Sequence, residues 1–133
     1  MKLPFPVASL ALVVCVSLLF SPIARAQDPA KVAPDVYKVV FENARVRVME
    51  VTLAPGTKVP LHSHPDHLAY GLSTGKVKFT HADGTTVDAE IQPGQVVWVP
   101  AEKHSSETLG DAEVKVVVVE LKEPAKKPAA KKR

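Results

Sequence analysis

The sequence predicts an all-β domain, and three observations carry that expectation. From Val36 onward, apolar residues recur with a period of two rather than 3.6. Turn dipeptides punctuate the chain at short intervals, at Pro55-Gly56, Thr74-Gly75, Asp83-Gly84 and Pro93-Gly94. No stretch of about ten residues carries a helical apolar pattern. Roughly eight to ten short strands at this spacing describe a sandwich or barrel.

The N-terminus stands apart from that domain. Lys2 supplies a positive charge, Val7 to Phe20 is nearly all apolar, and Ala24-Arg25-Ala26 ends in the small-residue pattern of a cleaved secretory signal peptide. The apolar run is short for a membrane span, which takes roughly 20 residues, and Ser21-Pro22 interrupts it. Residues 1–26 are therefore expected to be removed. That leaves a periplasmic or secreted protein beginning at Gln27, with no membrane span. Cys15 goes with the signal, so any metal must be held by His, Asp or Glu.

Charge excludes one class of partner. Without Lys2 and Arg25 the chain carries 15 basic against 14 acidic residues, and five of those bases sit in Lys126 to Arg133. Residues 27–125 then hold 10 basic against 14 acidic residues, a net charge of −4. A nucleic-acid binder concentrates positive charge on its folded face, and this body does not. The tail, 124–133, is low in complexity and too charged to pack, so it is expected to be disordered.

The elements follow in order. Residues 27–35, with Pro29 and Pro34, are expected to form an extended lead-in, and the domain proper to span 36–123. Val36 to Phe41 and Arg45 to Leu53 alternate as strands, with Asn43 at a turn between them. Pro55-Gly56 precedes a short strand from Lys58 to Leu61, which runs into the histidines. Leu68 to Ser73, Lys76 to Thr80, and Thr85 to Ile91 behind Asp83-Gly84 continue the pattern. Val96 to Val99 follows Pro93-Gly94, Pro100 to Lys103 forms a corner, and Glu113 to Leu121 is a strand buried on both faces. The expected core is Val48, Val51, Leu53, Phe79, Val97, Val99, Val117 and Val119, with Trp98 packed into it.

The chemistry concentrates in His62-Ser63-His64-Pro65-Asp66-His67, three of the chain's five histidines. His62 and His64, two apart on a strand, point to one face and can converge on one ion. His104 returns behind a second Pro-Gly turn. His81, at a hairpin tip, reads as solvated. Tyr70 is a possible ligand donor, and Glu50 and Glu107 qualify as general bases only if the fold turns them inward.

Gly56, five residues, His62-Ser63-His64, then Gly75, resembles the first motif of the cupin superfamily. Gly94, five residues, Pro100, then His104, resembles the second. The resemblance implies a double-stranded β-helix, the jelly-roll cupin barrel, with one divalent metal bound inside by two histidines and a glutamate of the first motif and a histidine of the second. His62, His64 and His104 take the histidine positions. The glutamate is missing. Ungapped alignment puts Leu68 there; one extra residue in the Thr74-Gly75 turn puts His67 there, with Ala69 and Gly71 on its face and Leu68, Tyr70 and Leu72 on the other. Glu102 also stands where many cupins have glycine.

An all-histidine set favours Fe, Cu, Ni or Zn over harder ions. His67 is then either the fourth ligand or a residue behind the ligands. Two functions stay open: a metal-dependent, dioxygenase-like enzyme acting on a small oxygenated molecule, or a non-catalytic module for a metal or small ligand. The resemblance also implies a homodimer.

Overall fold

The structure, a computed structural model, describes residues 28–123; the expected signal peptide and basic tail lie outside them. Nine strands follow one helical turn, α1 (Pro29–Val32): β1 (Tyr37–Glu42), β2 (Val46–Leu53), β3 (Lys58–His64), β4 (His67–Gly71), β5 (Gly75–His81), β6 (Thr86–Ile91), β7 (Val96–Val99), β8 (Glu102–Leu109) and β9 (Val114–Leu121). They form two antiparallel sheets, ordered β1-β2-β9-β4-β7 and β3-β8-β5-β6. Among the described residues no helix is long and apolar enough to cross a membrane.

The lead-in is not extended as expected. Asp28 caps α1 by accepting from the Ala30 amide at 2.9 Å, and Pro29 at the first helical position needs no partner for a missing N–H. Asn43 likewise turns the chain without a left-handed backbone. Its Oδ1 accepts from the amides of Arg45 and Val46 at 2.8 and 2.9 Å.

The motif glycines have distinct causes. Gly56 and Gly94 follow prolines with φ of 71° and 79°, the positive values such turns demand. Gly75 has no such angle; a Cβ there would lie 2.4 Å from Val114 Cγ2, so the start of β5 can approach β9 only without a side chain.

The core comprises Tyr37, Met49, Val51, Leu53, Val59, Val77, Val114 and Val118. Of the expected core, Val51 and Leu53 belong to it, Phe79 packs against it, and Val97 and Val99 line a cavity. Val48, Val117 and Val119 are half-buried outside it: Val48 stands three residues before Val51 and so on the opposite face, while Val117 and Val119 sit in a run of four valines that carries no alternation. The pairing Leu53↔Val114 fixes that parity, turning Val114, Val116, Val118 and Glu120 inward and Val117 and Val119 outward. Trp98 is 51% exposed on the outer face, not in the core.

β8 is the strand that sequence did not resolve. Its inward residues are His104, Ser106 and Thr108, so the apolar alternation that betrays a strand is absent from Glu102 to Leu109.

Candidate metal centre

A bulge in β3 aims the histidines. Val59 pairs with Ser106 and His62 with His104, so three steps on β3 oppose two on β8. Simple alternation from buried Val59 would turn Leu61 in and His62 out. With Pro60 and Leu61 both exposed at the bulge, Val59, His62 and His64 all face the interior. Pro60 is tolerated because a bulge spares it a ladder N–H.

His62 and His104 are direct cross-strand partners, with ring centroids 4.7 Å apart; His62 and His64 lie at 4.9 Å and His64 and His104 at 5.3 Å. One ring nitrogen from each of these three lies within 4.8 Å of the others. His67 enters from the facing sheet on β4, buried against His64 at 4.7 Å, but is not a member of that trio. Its face is the expected one: His67, Ala69 and Gly71 turn inward, and Tyr70 and Leu72 outward.

Each histidine has an acceptor at Nδ1. His62 donates to the Pro60 carbonyl at 2.8 Å, His67 to the Pro65 carbonyl at 2.8 Å, His64 to Glu120 Oε1 at 2.7 Å and His104 to Glu102 Oε1 at 2.6 Å. Carbonyl and carboxylate oxygens only accept, so Nδ1 carries the proton and a neutral ring presents its Nε2 lone pair. His104 Nε2 is buried with no hydrogen-bond partner among the described residues. His62 Nε2 lies 3.3 Å from the Tyr37 hydroxyl.

The buried carboxylate Glu120 was not foreseen. It closes a chain in which Asp28 and Glu120 both accept from Arg47 and Glu120 accepts from His64. Burial pushes the Glu120 carboxyl up, but the hydrogen bonds from His64 and Arg47, with the Arg47 charge, outweigh it and leave it below its ordinary value. Burial depresses His62 and His67, against the proline carbonyls that favour their charged forms. Burial and the neighbouring imidazoles bring His104 to about 3. Burial, with the Glu120 charge, raises Tyr37 well above its ordinary value, so its hydroxyl stays protonated.

His81 is half-buried rather than solvated, 3.3 Å from Glu102 Oε2, so Glu102 bridges His81 and His104. Glu50 and Glu107 face outward, Glu107 towards Lys58 at 3.6 Å, and are not site bases. Tyr70 is exposed on the outer face. Asp66 caps the corner after β7, accepting from the Ala101 amide at 2.7 Å. Beside the histidines opens a cavity of about 300 Å³, walled by Val77, Phe79, Ile91, Val97, Val99 and Val118 among others.

Comparison with known proteins agrees with this architecture. No curated protein matches the chain. A cupin domain from Bordetella pertussis Tohama I superposes with a TM-score of 0.62 at 26% identity, covering 66% of this chain and 93% of that one. A cupin family protein with a double-stranded β-helix fold from Methanocaldococcus jannaschii gives 0.52 at 17% identity, covering 65% and 78%. The polyketide cyclase RemF from Streptomyces resistomycificus gives 0.51 at 23%, covering 65% of this chain and 64% of its own. Residues 49–120 match the family described as Cupin domain, and the chain belongs to that family.

Proposed function

We propose that the chain is an exported cupin that holds one divalent transition metal, Fe, Cu, Ni or Zn, and acts as a dioxygenase-like enzyme on a small oxygenated molecule. The observation that carries this is the donor set. His62, His64 and His104 converge, each with Nδ1 tied to an oxygen, and His104 Nε2 is buried with no partner among the described residues. An imidazole trio of fixed tautomer fits borderline divalent ions. His62, His64 and His104 would hold the metal, with His67 packed behind His64 from the opposite sheet; loss of stoichiometric metal in His67→Ala would make it the fourth ligand.

A redox-active ion there supplies electron exchange with dioxygen, and zinc supplies Lewis acidity. The chain's own residues do the rest. Glu120 and Glu102 orient His64 and His104, Tyr37 stays a neutral hydrogen-bond donor, and the apolar walls bind the molecule. One observation favours a second reading, a non-catalytic binding module. Both carboxylates nearest the centre are already engaged by histidines, so neither is free as an acid-base group.

Untagged protein analysed for metal, with His62→Ala and His104→Ala, tests the centre; oxygen uptake tests the enzyme. Metal content unchanged in both variants refutes the site. Tight metal without turnover favours the module. Export is tested by the N-terminal sequence of protein recovered outside the cytoplasm, expected to start at Gln27.

The chain also pairs as a homodimer through the outer face of its five-stranded sheet. Phe41, Val48, Val119, Leu68 and Trp98 form one unbroken cross-strand row over all five strands, with Tyr70 and Val96 beside it. Five strands at about 4.8 Å spacing make this face roughly 20 Å wide, the scale of a standard interface.

A further inference from the structure

Two buried polar atoms have no partner among the described residues, His104 Nε2 and Ser106 Oγ. They lie two apart on β8, hence on one face, and both residues line the same cavity. A metal held by His62, His64 and His104 would account for the first. Nothing yet accounts for the second. Ser106 is only 5% exposed, and an unpaired hydroxyl at that depth is destabilising where alanine would fill the position without loss. Thr108, next on the same face, bonds the Thr57 carbonyl, so an idle hydroxyl is not a general property of the strand.

We propose that Ser106 is the polar anchor of a ligand chamber beside the metal centre. The chamber takes a small neutral molecule whose single carbonyl or hydroxyl oxygen bonds Ser106 Oγ, while its apolar body lies against Val77, Phe79, Ile91, Val97 and Val99. This names the substrate class of the proposed centre and rests on that reading for the metal, though the chamber itself does not need the ion. A hydroxyl both donates and accepts, so it serves a ketone or an alcohol alike. Size follows from volume: at water's ~30 Å³ per oxygen as the loosest packing, about 300 Å³ holds roughly ten to fifteen non-hydrogen atoms. Neutrality follows from the walls, which include Glu90 and Glu102 but no lysine or arginine. An anion would lose its hydration without a basic counter-ion from the chain, and the carboxylates that a cation would need are already engaged, Glu90 by Gln92 Nε2 and Glu102 by His104 and His81.

Acetophenone and ethylbenzene share an apolar body and differ in an oxygen, so they probe the anchor directly. Metal content and unfolding temperature are recorded for wild type and Ser106→Ala as purified, and probe affinities are then measured by calorimetry after both proteins have been chelated free of metal. The expected result is about tenfold tighter binding of acetophenone by wild type, the worth of one hydrogen bond. In Ser106→Ala that preference vanishes, ethylbenzene affinity is unchanged, metal content is retained, and the unfolding temperature is equal or higher, which a structural hydroxyl would not allow. Equal affinities in wild type, a preference surviving in Ser106→Ala, or failure of both probes to bind overturns the proposal. A ketone preference in a protein that never takes up metal supports the chamber and sinks the metal reading alone.

Discussion

Glu120 accepts a hydrogen bond from His64 Nδ1 at 2.7 Å across 56 residues of sequence, so the last strand of the fold sets the orientation of a histidine in the first motif. The carboxylate is itself held by Arg47, which also binds Asp28 at the cap of α1. Glu120→Gln keeps an acceptor for His64 but removes the charge that makes its imidazole a better donor. Metal affinity is expected to fall about tenfold, within the usual range for a residue behind a ligand. Glu120→Ala, which strips a buried partner from Arg47, is expected to lose about 3 kcal/mol of stability as well. Competitive chelator titration and chemical denaturation measure the two effects separately.

The convergence of three histidines and the apartness of the fourth give a graded expectation. His62→Ala, His64→Ala and His104→Ala each remove a member of the trio, and stoichiometric metal should be lost at micromolar concentration. His67→Ala should retain one metal per chain with less than about tenfold weakening, as for a residue that buttresses His64. Loss of stoichiometric binding in His67→Ala would make His67 the fourth ligand.

Tyr37 gives an expectation of opposite sign. Its hydroxyl lies 3.3 Å from His62 Nε2, the lone pair a metal would use, and burial keeps it protonated. Binding must break that contact. Tyr37→Phe removes the competitor, and since one such bond contributes about 0.5–1.5 kcal/mol, affinity should rise roughly two- to tenfold. Weaker binding in Tyr37→Phe would instead make the hydroxyl a support for the occupied site.

How much of this was legible depended on what faces inward. The histidines and glycines stand at spacings that fold and family both impose, and His62 and His64 share a face as strand geometry requires. Three Nδ1 acceptors were also within reach of the sequence, since Pro60, Pro65 and Glu102 each stand two residues before the histidine they orient. β8 was not legible, because His104, Ser106 and Thr108 replace the apolar residues that mark a strand. Glu120 was hidden differently. It follows four valines without alternation, and only pairing with β2 and β4 shows which way it points. Trp98 was misjudged because an apolar strand at a sheet edge does not reveal which of its faces meets the core.

Acid should unfold the metal-free protein earlier than its carboxylates alone would require. His62, His67 and His104 have folded-state values below the ordinary histidine value of 6.5, and His104 stands at about 3. Unfolding frees them to take protons, so the stability they contribute is complete above pH 6.5 and is lost as pH falls from there towards their depressed folded values, for His104 as far as about 3. The loss is about 1.4 kcal/mol per pH unit for each imidazole that only the unfolded chain protonates. Glu120, also depressed, adds its loss below its ordinary value of 4.5. Denaturation midpoints measured at intervals from pH 7.5 to 4 should decline from about 6.5, and His104→Gln should flatten that decline. A profile flat to pH 5 would show that the imidazoles are solvated in the folded chain.

The outer apolar row predicts an oligomer that one residue can break. Phe41 and Trp98 end the row on opposite edges of the sheet and are 53% and 51% exposed, while Val48, Val119 and Leu68 between them are half-buried. Exposed apolar area this continuous is unusual on a monomer. A two-fold axis lying in the interface, over the middle strand β9 and parallel to it, would lay each half of the row on the other half of a second copy, the self-complementary arrangement of a symmetric dimer. Trp98→Lys places two charges in that interface and should shift sedimentation from dimer to monomer, with metal content unchanged because Trp98 points away from the cavity. If wild type sediments as a monomer at high micromolar concentration, the face serves some other partner and the homodimer is wrong. If Trp98→Lys remains a dimer, the copies meet elsewhere.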